Sequence, residues 1–171
     1  MDFDALLNWL HETGIATAIR ENEFLFPSIE SVHVLAITLV IGSIAIVDLR
    51  LIGLASLDRA LNRLTADVLP LTWVAFAVAA ISGFLLFSSN AFNYAHNFYF
   101  QRKMVLLVLA GVNMSVFHLW IGRDIERWGK SFTAPPLPAK IAGAVSLLLW
   151  IGVVAFGRWI GFTLLPKALG G

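Results

Sequence analysis

Four stretches of the chain carry no Asp, Glu, Lys or Arg: Ser31 to Val47, Val68 to Gln101, Met104 to Gly122 and Ile141 to Gly157. A helix crossing the hydrocarbon of a bilayer needs about 20 apolar residues, so the second stretch holds one span and a loop. Local punctuation then sets the elements. Pro27-Ser28 precedes the first span, with Ser28 as its N-cap, and Pro70 fits the first turn of the second. The pattern predicts spans at approximately 29–54, 68–88, 98–121 and 138–165. An Asn- and aromatic-rich connection, SSNAFNYAHNFYF, joins the second to the third. The loop from Arg123 to Lys140, containing PPLP, joins the third to the fourth. Within residues 1–27, Phe3, Leu6, Leu7 and Leu10 recur at helical spacing, which predicts an amphipathic surface helix. Its apolar side has two natural partners, lipid or the protein's own helices. The expected fold is all-α, a single four-helix integral membrane bundle with an N-terminal amphipathic helix.

Composition agrees. Of 171 residues, 58% are hydrophobic and only 13% charged, too few charges for a water-soluble surface of this size. The net charge of +1 gives no electrostatic reason to bind nucleic acid. With no cysteine, disulfides, thiolate zinc, iron–sulfur clusters and covalently attached haem are excluded. Any metal must be held by His, Met, Lys or oxygen ligands. The acidic start, MDFDALLNWLHETG, lacks the basic region and continuous apolar core of a signal peptide.

Loop charges orient the expected bundle. Arg50, Arg59, Arg63, Arg123, Arg127, Lys130 and Lys140 gather at one end, whereas only Arg20 and Lys167 lie clearly outside the spans at the other. Positive charge stays in the cytoplasm, so both chain ends are expected outside, in the periplasm if the membrane is a bacterial inner membrane. Trp73, Trp120 and Trp128 fall near the expected cytoplasmic edge, Trp9 and Trp159 near the outer one.

Ionisable groups interrupt the spans at matching depths. His33 and Asp48 lie 15 residues apart in the first span, Lys103 and His118 15 apart in the third. Fifteen helical residues rise about 22 Å. Both spans run inward, so His33 is expected level with Lys103 and Asp48 level with His118. The fourth span returns Arg158 to the outer layer, and His96 stands in the outer loop. Charged groups at such depth are costly and by default functional. The outer layer of His33, His96, Arg102, Lys103 and Arg158 has no carboxylate within the membrane, which invites an anionic ligand. Haem b meets both needs, with iron for His33 or His96 and propionates for Arg158 and Arg102 or Lys103. Gly42, Gly53, Gly83 and Gly111 offer room for a flat macrocycle or for close helix packing. Arg102 and Lys103 also suit plain snorkelling to the interface. Asp48 and His118 form either a structural ion pair or a proton relay.

Copper is the competing cofactor. Met114 and His118 are four residues apart and Met104 lies about three turns above, a thioether and imidazole set suited to Cu(I). Nothing in the chain supports hydrolysis or phosphoryl transfer.

The segments ESVHVLAITLVIGSIAIVDLRLIGLAS and FNYAHNFYFQRKMVLLVLAGVNMSVFHLWIGRD resemble an uncharacterised bacterial family of small four-helix membrane proteins. More distantly the chain is similar to CopD-type copper-resistance membrane proteins and to HemJ-type protoporphyrinogen oxidases. His33, Arg50-Leu51, Lys103 and His118 match the HemJ-type pattern of His, Arg-Leu, Lys and His. That resemblance implies a membrane haem b with His33 as axial ligand and Lys103 close by. The Pro before Arg-Leu is replaced by Asp48-Leu49 and a following His is missing, which sets the chain apart from the oxidase pattern.

The sequence thus leads to a b-type haem protein of electron transfer, with quinone or a periplasmic redox protein as partner, in an oligomer or larger complex. The alternatives are a copper-handling membrane protein and a non-catalytic membrane subunit.

Overall fold

The computed structural model describes residues 2–56, 60–122 and 135–164. Among them every regular element is helical. Two short helices, α1 (Phe3–His11) and α2 (Gly14–Glu21), precede the long α3 (Leu25–Ile52) and α4 (Leu61–Ser89). The short α5 (Ala91–Ala95) leads into α6 (Phe98–Val116), which ends in a π turn at Phe117–Ile121; α7 spans Leu137–Leu164. Four elements are long and apolar enough to cross a membrane: α3, α4, α6 with its π turn, and α7. Their surfaces carry exposed Val34, Leu35, Ile81, Val108, Leu148 and Ile151, as lipid-facing helices do. This is an all-α integral membrane protein.

The first span starts earlier than expected. Asn22 caps it, its Oδ1 accepting from the backbone N–H of Phe24 at 2.9 Å and of Leu25 at 3.2 Å. Ser28 lies inside the helix, and Pro27 takes a first-turn place where its missing N–H costs nothing. At the other end Gly53 adopts a left-handed φ of 92°, and its N–H and that of Leu54 both return to the Leu49 carbonyl. The second span also begins early, at Leu61, because Leu61 and Leu64 bury an apolar edge while Arg63 and Asp67 stay exposed. Pro70 therefore sits within the helix, not in its first turn. In α7, Pro136 accepts the first backbone bonds from Ala139 and Lys140. Asp58, Arg59, Arg123, Arg127, Trp128, Lys130 and Lys167 lie outside the described residues.

Packing runs in the order α4, α3, α7, α6. Helix α3 contacts α4 and α7 closely, and α6 contacts α7, whereas α4 and α6 share no comparable face. Two glycines make the close approaches. A Cβ on Gly143 of α7 would stand 3.0 Å from Leu51 Cβ and 3.1 Å from the Asp48 carbonyl of α3. One on Gly152 would meet the tip of Leu106 at 2.8 Å. Gly42 and Gly111, expected at such contacts, face open space.

Helices α1 and α2 dock on one end of the bundle, called the upper end below, against α5 and α4 respectively. Leu7, Ala16 and Ile19 are buried there, while Phe3, Leu6, Trp9 and Ile15 remain exposed. Arg20 locks the arrangement: its Nη1 donates to the His11 carbonyl at 2.8 Å and the Ser89 carbonyl at 3.2 Å. The expected amphipathic helix is thus a pair of helices, one side on the protein and one side open.

Candidate functional site

The upper layer is built around His33. About two turns inside α3, its ring crosses to α4 and lies against Gly83, whose hypothetical Cβ would stand 2.8 Å from the ring's Cε1. Only glycine leaves that space. The ring's Nδ1 is 3.0 Å from Ser82 Oγ. Ser82 is buried, and its hydroxyl donates to the Val78 carbonyl at 2.6 Å. With its proton spent there, Ser82 Oγ accepts from Nδ1–H. In this network Nδ1 carries the proton, and the ring also hydrogen-bonds the Ala79 backbone.

Lys103 of α6 lies within electrostatic range of that ring. It turns inward, half-buried, its aliphatic stem 3.8 Å from the Cβ position of Gly157 on α7. His33 and Lys103, expected at one depth, thus lie within electrostatic range of each other. One turn above stand the aromatic side chains of Phe87, Tyr94 and Phe100. Phe87 and Phe100 stack with centroids 5.3 Å apart and planes at 15°, joining α4 to α6 over the layer. Tyr94 packs against both rings. Burial, and then the nearby Glu30 carboxylate, push the Tyr94 hydroxyl above its ordinary value of 10.0.

The remaining expected members lie elsewhere. Arg102 is exposed and stacks on Phe98, 4.9 Å from the ring centroid. Arg158, expected to pair in the interior, is also exposed and stacks on Phe162 at 5.1 Å. Each arginine finds its aromatic partner four residues away on its own helix, a cation–π contact that satisfies it without entering the bundle. His96 serves α5 and α1: Nδ1 is 3.0 Å from the Phe92 carbonyl, and Nε2 is 3.7 Å from Asp4. A pairing of Asp4 with a loop histidine was not legible from their separation in the chain.

At the lower end Asp48 and His118 do not form an ion pair. Asp48 is 5% exposed between α3 and α7, with Ser146 as hydrogen-bond partner. His118 is exposed, its Nδ1 2.9 Å from the Met114 carbonyl. With Asn62, Thr65 and Phe117 it lines a cleft of about 280 Å³ between α4 and the π turn. Met104 and Met114 are exposed, and among the described residues no group of three His, Cys, Asp or Glu converges as a metal site. Between the two layers, Thr72 donates to Ser43 at 2.8 Å and Asn113 to the Ala142 carbonyl at 3.1 Å. These bonds tie α3 to α4 and α6 to α7 across the middle of the bundle.

Fold and site together define a small four-span membrane protein with His33 and Lys103 in its upper half and a buried Asp48 in its lower half. A family model matches residues 24–163, and the chain belongs to that family, DUF6644, a family of unknown function. The match begins next to the Asn22 cap and ends with α7, so it takes in both layers and leaves out α1 and α2. No curated protein matches the chain, and no solved structure does.

Proposed function

We propose that the protein binds haem b in the upper half of the membrane through His33 and carries electrons there. The observation behind this reading is the held tautomer. A histidine whose Nδ1–H is committed to Ser82 presents Nε2 as a neutral, oriented ligand, the usual state of an imidazole that binds iron. The residues fit the group in two further respects. Gly83 leaves the ring its space, and α4 and α6 lack the close packing that would fill the seam between them. Lys103 is the second basic group at the site. It would hold the group as a second ligand to the iron or as the partner of a propionate.

When bound, haem supplies one-electron transfer. The chain's own contribution is to orient Nε2 through Ser82, to keep water away with the Phe87, Tyr94 and Phe100 stack, and to place positive charge at Lys103. Arg102 and Arg158, held outward on phenylalanines, are left to the membrane interface. The HemJ-like positions His33 and Lys103 support the same reading, while the exposed placement of Met104 and Met114 gives the CopD-like copper reading no support. The loop charges of the sequence favour an upper layer at the periplasmic face of a bacterial inner membrane. A quinone or a periplasmic redox protein is then within reach as electron partner.

Purified protein should show a Soret band and reducible α and β bands. His33→Ala should abolish them, and Lys103→Ala should change the spin state or lower retention. Arg158→Leu and His118→Ala should leave the spectrum intact, because one faces outward and the other lies about 22 Å below Lys103. Colourless, folded protein from cells supplied with haem would sink the reading. Stoichiometric copper in it would restore the copper alternative, and metal-free protein isolated with partner chains would favour a structural subunit.

A further inference from the structure

Asp48 has no role in the upper site. It lies in the lower half of α3, 5% exposed, and its Oδ2 has no hydrogen-bond partner among the described residues. Ser146 of α7 bonds the carboxyl group. One turn away α7 approaches α3 closely at Gly143, where an added Cβ would stand 3.1 Å from the Asp48 carbonyl. The charged and titratable groups of the surrounding elements are Arg50 on α3, Arg63 and Asp67 on α4, Lys140 on α7 and His118 in the π turn. Arg50 is engaged in a contact of its own. Among the described residues none of these groups forms an ion pair with Asp48.

An ionised carboxylate is acceptor-only, with about four lone-pair sites to satisfy. Buried without a cation and with one oxygen orphaned, that form is the expensive one. The neutral acid is better matched. The Ser146 hydroxyl still donates to one oxygen of the acid, and the orphan left over is uncharged.

We propose that Asp48 is a proton-binding site inside the membrane, a carboxylic acid bonded to Ser146 and loaded from the lower face. The cleft lined by Asn62, Thr65 and His118 marks the way in. Phe117 forms one of its walls and also packs on the cluster of Leu51, Leu61 and Ala139, so it stands between the cleft and the Asp48 layer. The proton comes from water in the cleft, adds to a carboxylate oxygen and leaves by the same route. No other atom is transferred.

Infrared spectroscopy of the full chain in lipid nanodiscs tests the site without any cofactor, so the result is independent of the haem reading. A protonated-carboxyl stretching band should be present near neutral pH, move to lower frequency in D2O and disappear in Asp48→Asn. Ser146→Ala should move the band to higher frequency, because the acid loses its hydrogen bond. Phe117→Ala should speed the D2O shift. The absence of any Asp48-dependent acid band would overturn the proposal, as would a band indifferent to Ser146→Ala. If Asp48→Asn does not fold, the Ser146→Ala shift decides the matter alone.

Discussion

The two ends of the bundle use glycine for opposite purposes. At the upper end Gly83 makes room for a side chain, the His33 ring, and Gly157 lies under the stem of Lys103. At the lower end Gly143 makes room for a backbone, bringing α7 against α3 at Asp48 and Leu51. A ring can turn aside when its space is taken; two helix backbones cannot. The upper layer is thus the adaptable one and the lower layer the rigid one.

The strongest challenge to this contrast is Gly143→Ala. Its Cβ has only backbone and Leu51 Cβ to push against, so the helices must part, at a cost of about 1–3 kcal/mol. A clearly lower thermal midpoint in detergent is expected, while Gly42→Ala, which faces open space, should melt like the parent. Equal behaviour of the two would remove the claim of a rigid lower layer. Next in size is Asn22→Ala, which strips the Phe24 N–H of its acceptor and leaves Leu25 N–H only the Asn22 carbonyl at the upper start of α3; it should cost about 1 kcal/mol.

Gly83→Ala should cost little stability, since the atom in its way is the edge of a side chain. It should instead displace the His33 ring, which NMR of labelled histidine would register, and weaken whatever His33 binds. The smallest effect concerns the roof. The fold raises the Tyr94 hydroxyl above 10.0, so it favours the protonated phenol. That contribution is whole below about pH 10 and is lost as pH rises from there through the higher folded value. Tyr94→Phe should flatten this alkaline loss of thermal stability. An unchanged pH profile would mean that the roof is open to water.

Much of this was legible in the sequence. Absence of charge over whole spans located all four membrane helices, because hydrocarbon penalises charge almost regardless of context. Equal spacing placed His33 level with Lys103, since helical rise is fixed. Rotation was harder to read. Whether Arg102 and Arg158 point inward depends on what lies beside them, although the phenylalanine four residues from each was a visible signal. Ser82, Ser146 and Gly143 looked like ordinary small residues, and Gly83 was one of four glycines that nothing in the chain told apart, since their importance comes from a side chain or backbone on another helix. Asn22 was visible in the chain but is read as a cap only once α3 is known to start at Leu25.

The Arg20 bond to Ser89 also carries a consequence for how the molecule is made. It joins positions 69 residues apart. During synthesis the α1–α2 pair leaves the ribosome first, yet the upper end of α4 and all of α5, on which it rests, have not been translated. The pair must wait at the membrane surface with Leu7, Ala16 and Ile19 still uncovered. What is built first is therefore fastened later, and Arg20 is the latch that closes once α4 has crossed.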